Sequence, residues 1–491
     1  MKFRSYDRSQ LFLLPPSVDD WLPAGHLARF IPDVVSHLDL RELIGRYGDA
    51  HEGGAPAYDP AMMVSLLFYA YCVGLWSSRR IERATYEDIA FRFVSGNSHP
   101  DHDSICSFRS LHIAAISKLF VQVLMICREA GLVKVGDVVV DGTKILASAS
   151  GQKTMSYRRL CDIERLVRAK VDELLRSATN TDAAEDARRG HGDRDDHLPK
   201  ELATAQSRLA AIAAAKSRLE ERALAEAREQ EAASRKRVEE RKIQEEQSGK
   251  KKRGRRPAVK ELEKLLKDRL AHMRENLTDR DSQLMQDGAT KGIIQAYNCQ
   301  SVVDAHAQII VAANATTDPN DKQQLVPMLN QAKKNLGQCP VRASADAGYF
   351  SRAAVTDASL SDIDLYISPS RADDEESIVE DFAKTEPTAG LQEPEPFRTD
   401  PKPNPKTLAG QAADAMRKKL QTTEGSKFYR ARGAVVEGPF GQIKEGRGFR
   451  RLSMRGKEKA DGEWKLVCMT YNILKIWRSG ANLARIVGQT A

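Results

Sequence analysis

In "VGDVVVDGTKILASAS", residues 135–150, three β-branched residues (Val138, Val139 and Val140) run without a break into Asp141, and Gly142 and Thr143 follow at once. β-Branched side chains favour the pleated strand, and an uninterrupted apolar run suits a strand buried on both faces. A carboxylate closing such a strand has two readings. It caps a turn, since Asp-Gly is a common turn dipeptide, or it offers its oxygens to something held at the edge of a sheet.

On the C-terminal side, regular structure resumes in "GIIQAYNCQSVVDAHAQIIVAANATT", residues 292–317, where two runs of alternating Ile, Val and Tyr flank a short polar turn. That is a β-hairpin pattern. "DKQQLVPMLNQAKKNLG" reads as an amphipathic helix, "VRASADAGYFS" as a strand end, "AAVTDASL" as a helix and "IDLYISPS" as a strand. The order is β, insertion, β-β-α-β-α-β, which predicts an α/β core with a mixed sheet flanked by helices. Between the first strand (134–150) and the rest of the sheet (286–380) lies a segment, 151–285, rich in Ala, Glu, Lys and Arg. Its "ELATAQSRLAAIAAAKSRLEERALAEAREQEAASRKRVEERKIQEE" predicts one long helix of a protruding insertion, with a poor heptad broken at Lys216 and Glu226. A Pro-rich linker (381–407) precedes C-terminal helices (408–491).

Residues 1–133 read as an all-α domain. Asp59-Pro60 predicts a helix start, and "MMVSLLFYAYCVGLW" (62–76) predicts a buried helix. The turn-rich "SGNSHPDHD" separates it from a second long helix, with Asp103 as the expected N-cap. Such a turn-linked pair resembles a helix-turn-helix that would bring Arg79, Arg80, Arg109 and His112 to DNA; an α-helical bundle with a solvated Arg face is the other reading. In the insertion, "GKKKRGRRPAVK" (249–260) sets Lys251, Arg253 and Arg255 in a Gly-broken basic run. This is either a DNA-backbone or minor-groove arm, or a solvated loop.

Bulk composition agrees with a partner of opposite charge without requiring one. Lys plus Arg number 76 against 68 Asp plus Glu, a formal net charge of +8 over 491 residues. The seven cysteines form no C-x-x-C unit, so neither a zinc knuckle nor a disulfide framework is expected, and reduced thiols in a cytoplasmic, nucleoid-associated protein are. The 62–76 stretch is shorter than the ~20 residues a spanning helix needs, and no membrane association is expected.

Three segments share one feature: a carboxylate stands where an apolar run meets glycine. They are "VVVDGT" with Asp141, "ASADAGYF" with Asp346 and "AVVEGPFGQIK" with Glu437. Strand ends from distant segments converge on one sheet edge, where gathered carboxylates repel unless a cation lies between them. Hard oxygen ligands with room for water and phosphate suit Mg²⁺ or Mn²⁺, and two such ions serve phosphoryl transfer. Singly, each acid has a local reading as well: Asp141 as a turn cap, Asp346 as a helix opener, Glu437 as a first-turn glutamate.

Together with "FRSYDRSQLFLLPPSVDDWLPAGHLARFI", "YDPAMMVSLLFYAYCVGLWSSRRIE", "HPDHDSICSFR", "YNCQSVVD" and "VEGPFGQIKEGRGFRRLSMRG", these motifs cover nearly the whole chain. It resembles the DDE transposases of bacterial insertion sequences, in the group named IS eleven-eighty-two, related to the IS-four-like enzymes. The resemblance implies an RNase H-like core with Asp141, Asp346 and Glu437 as the metal-binding triad and two Mg²⁺ or Mn²⁺ ions. It implies double-stranded DNA, both element ends and target, as partner, a homodimer on DNA, and cleavage followed by strand transfer. The family's C-terminal pattern is Y-x2-R-x3-E-x6-K. Tyr429, Arg432, Glu437 and Lys444 stand in that order, with four residues rather than three between Arg432 and Glu437. Seven residues in an α-helix make two turns, so Glu437 and Lys444 are expected to point the same way, ~10.5 Å apart. Arg447, Arg450, Arg451 and Arg455 would extend a basic track along DNA. The competing readings are a catalytically silent DNA-binding regulator derived from a transposase and a nuclease without strand transfer.

Overall fold

A computed structural model describes residues 17–45, 57–189, 200–248, 258–288, 290–369, 408–481 and 483. The chain divides into two compact units: one of residues 1–148 and 284–491, the other of 149–283.

The first unit is built on a six-stranded sheet. Its strands are β1 (Asp137–Leu146), β4 (Gln283–Gln286), β5 (Ile293–Asp304), β6 (Ile310–Thr316), β7 (Arg342–Ala345) and β8 (Asp364–Ile367), with β2 (Thr154–Ser156) and β3 (Arg274–Asn276) forming a separate pair in the second unit. The path runs β4-β5-β1-β7-β8, with β6 also on β5. β1 is therefore central. It pairs antiparallel with β5, Val140 facing Val302 and Asp141 facing Ser301, and parallel with β7, Val140 facing Ala345. β7 and β8 continue in parallel. The Val138–Val140 run is buried, as a strand covered on both faces requires. The mixed sheet flanked by helices fits an α/β core. β4 and the β2–β3 pair did not stand out in the sequence, being only three or four residues each.

The N-terminal helices pack into the same unit as the sheet. Asp59 caps the Pro60–Cys72 helix, its carboxylate accepting from the Met62 amide at 2.8 Å, and ten of that helix's residues are buried. The helix breaks after Cys72 and resumes as Ser78–Glu87 and Ile89–Val94. The long helix that follows, His102–Glu129, is capped by Asp101 rather than Asp103; Asp101 accepts from the amide and hydroxyl of Ser104, both at 2.8 Å. It is long and apolar enough to cross a membrane by length and composition, but 56% of its apolar window is buried in the protein. Much of that burial is against the C-terminal helix Lys457–Arg478.

Four buried polar side chains join these helices. Arg109 donates to the Trp76 carbonyl at 2.9 Å and to the Tyr71 hydroxyl at 3.1 Å, and Tyr71 donates to Glu463 at 2.8 Å. Glu463 also accepts from the Ser453 and Met454 amides. Arg447 donates to Thr470 Oγ1 at 2.9 Å and to the Tyr71 and Val467 carbonyls. Gly74, at φ +79°, lies so close to the Arg447 backbone that any Cβ there would collide with it.

The second unit contains the helices Tyr157–Arg189 and Lys200–Ser248, the latter 49 residues long. Tyr157 bonds to Glu220 and Lys216 to Glu164, so the two run antiparallel. Leu160, Ile212, Ala215, Leu219 and Ala223 of these helices make an apolar seam with Met273, which follows a third helix, Leu262–His272.

Candidate functional site

Asp346 follows the last residue of β7, and Asp141 lies in the middle of β1, one residue beyond the Val140–Ala345 pair where β1 parts from β7; β1 itself runs on against β5 to Leu146. Each carboxylate is locally anchored. Asp141 accepts from the Gly142 amide at 2.8 Å, and Asp346 caps a short turn, Ala347–Tyr349, by accepting from the Gly348 amide at 2.8 Å. The two charges feel one another. Burial pushes the Asp141 carboxyl up to about 7, Asp346 and Asp321 push it the same way, and the Gly142 amide and the Arg432 guanidinium oppose them.

The Thr423–Gly441 helix packs across β1, β7 and β8 and carries the remaining candidates. Arg432 donates to the Tyr429 hydroxyl at 2.9 Å and stacks 4.6 Å over its ring, so the pair forms one cationic, aromatic unit within electrostatic reach of Asp141. Glu437 is exposed, and its Oε1 folds back along its own helix, 3.2 Å from where a Cβ on Gly433 would stand. Among the described residues, no group of three or more His, Cys, Asp or Glu side chains is arranged to hold a metal ion. Asp141 and Asp346, hard oxygen donors on neighbouring strands and within electrostatic reach of one another, nonetheless have donor chemistry that fits a divalent cation.

Four sequence expectations change. Asp141 does not end its strand: the polar residues Asp141–Thr143 stay paired with β5 and β1 continues to Leu146, so only the pairing with β7 stops at Val140. Arg109 and His112 are buried, Arg109 at 4% and His112 at 1% exposure, and Arg109 is spent on Tyr71 and Trp76, so neither faces a DNA surface. Arg447 is likewise buried, burial lowering its guanidinium to about 10, because it holds the N-terminal helices to Lys457–Arg478. The continuous α-helix expected from Glu437 to Lys444 ends at Gly441: residues Gln442–Gly446 wind as a π-helix, which changes the angular step before Lys444, and Lys444 is half-buried near Cys299, its ammonium disfavoured chiefly by desolvation.

Arg79, Arg80, Arg450, Arg451 and Arg455 are exposed. The 450–452 segment is hydrogen-bonded to the end of β1, and Arg451 and Arg455 donate to the Ala147 and Ser148 carbonyls, so this basic segment borders the Asp141 strand. Arg450 is paired with Glu445 at 2.6 Å. Lys251, Arg253 and Arg255, and the Pro-rich linker, lie outside the described residues. Asp304, the last residue of β5, accepts from the Val135 and His306 amides.

The sequence reading missed a polar layer on the other side of the strands. Asn298, Gln300, Asp321, Tyr349 and Lys144 meet there. The available signal was an Asn and a Gln two apart in an otherwise apolar strand.

Two aspartates thus stand on neighbouring strands of a mixed α/β sheet, with the Arg432–Tyr429 unit within electrostatic reach of Asp141 and a basic segment bonded to the end of β1. Residues 16–111 match the family model described as a transposase domain (DUF772), and residues 402–477 match that of a transposase DDE domain. Together these matches support a DDE transposase, an enzyme class that acts on DNA and generally uses divalent metal ions. Arg79, Arg80 and Arg109 fall in the first match and Tyr429, Arg432, Glu437 and Lys444 in the second; Asp141 and Asp346 lie outside both. No curated protein and no solved structure matches the chain.

Proposed function

We propose that this chain is the transposase of an insertion sequence of the IS eleven-eighty-two, IS-four-like group. It binds the terminal inverted repeats of its element, cleaves the DNA strand and transfers the freed end to target DNA, in the bacterial cytoplasm and as a homodimer on DNA. The observation that carries the reading is the juxtaposition of Asp141 and Asp346 on the neighbouring strands β1 and β7, where Asp346 raises the cost of the Asp141 charge. The strand order β6-β5-β1-β7-β8, with β5 antiparallel to β1 and β7 and β8 parallel to it, supports an RNase H-like core.

Asp141 and Asp346 would hold Mg²⁺ or Mn²⁺, with Glu437 joining through a change of rotamer on its exposed helix face. Bound there, the cation supplies Lewis-acid charge stabilisation for phosphoryl transfer. Arg432, held by Tyr429, meets phosphate or a displaced base beside the acids, and Arg450, Arg451, Lys444 and Arg455 meet the DNA backbone further on. Arg79 and Arg80, exposed on Ser78–Glu87, are the N-terminal DNA contacts in this reading, and Lys251, Arg253 and Arg255 provide a sequence-independent backbone contact.

The test is cleavage of terminal-repeat duplexes in Mg²⁺ by Asp141→Asn, Asp346→Asn and Glu437→Gln. Each should lose ~10²-fold or more in rate, since metal-supplied charge stabilisation is worth several kcal/mol, while binding the ends normally. A variant that nicks at near wild-type rate removes that residue from the triad.

A further inference from the structure

Directly opposed residues of an antiparallel pair share a face, so Gly142 and Gln300 face one way and Asp141 and Ser301 the other. Gly142 leaves a gap in its face, and the Gln300 amide fills it. A Cβ at position 142 would overlap the Gln300 amide nitrogen and lie 3.1 Å from the Tyr349 hydroxyl.

Gln300 is fully buried, and both ends of its amide are bonded. Its Nε2 donates to Asp321 Oδ1 at 2.7 Å and to Asn298 Oδ1 at 2.9 Å, and its Oε1 accepts from the Tyr349 hydroxyl. A carboxylate only accepts, so Asp321 fixes which way the amide points. Tyr349, in turn, ends the turn that Asp346 begins: its amide donates to the Asp346 carbonyl at 3.2 Å. One side chain therefore fills the space behind the peptide following Asp141 and grips the ring three residues after Asp346.

We propose that Gln300 is a positioning residue that fixes the separation of the Asp141 and Asp346 carboxylates, with Asp321 orienting it and Tyr349 transmitting its hold to the Asp346 turn. The proposal rests on the reading that these two aspartates hold a divalent cation. None of the three positioning side chains touches the reacting atoms. A polar network satisfied throughout and buried behind a site is rigid, and rigidity is what a ligand pair of fixed spacing needs.

The experiment is Mn²⁺ binding to the full-length, DNA-free chain by calorimetry, alongside thermal unfolding in chelator, for Gln300→Met, Tyr349→Phe and Asp141→Asn. Gln300→Met fills the same space without the amide and should weaken Mn²⁺ ~10–100-fold, the range seen when supports of metal ligands are removed. Tyr349→Phe removes one hydroxyl, so it tests the same link should Gln300→Met fail to fold, and it should weaken Mn²⁺ at least severalfold. A lowered unfolding midpoint with Mn²⁺ affinity within twofold of wild type, for whichever of the two variants folds, overturns the proposal and leaves the network purely structural. Asp141→Asn separates the two levels. If it binds Mn²⁺ as wild type does, the metal reading itself fails; if it loses the metal while Gln300→Met and Tyr349→Phe keep it, only the positioning role fails.

Discussion

Asp141 is costly to keep charged. Its carboxyl sits at about 7, raised first by burial and then by Asp346 and Asp321. In an unfolded chain the same group titrates near ~3.9. Below that pH both states hold the proton. As pH rises from ~4 to 7 the unfolded chain releases its proton first, so the metal-free fold loses stability across that window, and above it the loss is constant. Asp141→Asn carries no such charge. Without metal it should be more stable than wild type at pH 8, by ~1–2 kcal/mol once about 1.4 kcal/mol per unit is cut by half or more because solvent partly reaches the side chain. The advantage should vanish near pH 4, and Mg²⁺ should raise the midpoint of wild type at pH 8 but not that of the variant. Parallel stability curves over pH 4–8 would show that Asp141 is not the strained charge described here. The residue scale is also where the sequence was most and least readable. Asp346 was visible as a strand end, whereas the Asp-Gly after the Val run was misread as one, because pairing with β5 carries β1 through Asp141 and Gly142 to Leu146. The burial of Arg109 and Arg447 was not, because the groups that enclose them come from the opposite end of the chain: Glu463 lies beside Tyr71, and Tyr71 beside both arginines.

At the scale of elements, long periodic or uniformly apolar runs were legible, and short or irregularly wound ones were not. β1, β5, β6, the Pro60–Cys72 helix and the 49-residue helix of the insertion follow from their patterns. The π-helical turn after Glu437 leaves no mark in side-chain periodicity, so the position of Lys444 could not be read from spacing. Helix contact has its own signal in Gly462, which lies against Ile113 of His102–Glu129; a Cβ there would come 2.7 Å from Ile113 Cγ1 and 3.3 Å from its carbonyl oxygen. In an open helix interior, Gly→Ala stabilises by roughly 0.5–1 kcal/mol. Here overpacking wins, and Gly462→Ala should destabilise by ~1–3 kcal/mol in denaturant unfolding. In an Ile113→Ala background, where Cγ1 is gone, the same substitution should cost much less. An equal cost in both backgrounds would refute this account of the helix contact.

For the molecule as a whole, the sequence suggested an N-terminal DNA-binding domain followed by a catalytic core. The contacts instead make residues 1–148 and 284–491 one unit, with Lys457–Arg478 packed on His102–Glu129 and Arg128 donating to the Leu336 carbonyl at 3.0 Å. Residues 149–283 form the other unit, with an apolar seam of their own. Independence should follow contacts rather than chain order. A fragment of residues 1–133 lacks Glu463, Arg447 and the helix that covers Ile113, leaving Arg109 without its carboxylate neighbour and an apolar helix face in water. It should bind a hydrophobic dye and melt without a sharp transition. A chain in which 149–283 is replaced by a flexible Gly/Ser linker should retain near-ultraviolet dichroism and unfold cooperatively. Recognition of DNA ends is then best measured by replacing the exposed Arg79 and Arg80 with Ser in the full chain, where loss of binding cannot be confused with loss of the fold. A sharp, reversible melt of the 1–133 fragment would show that the shared core is dispensable and would return the N-terminal helices to the status of a separate domain.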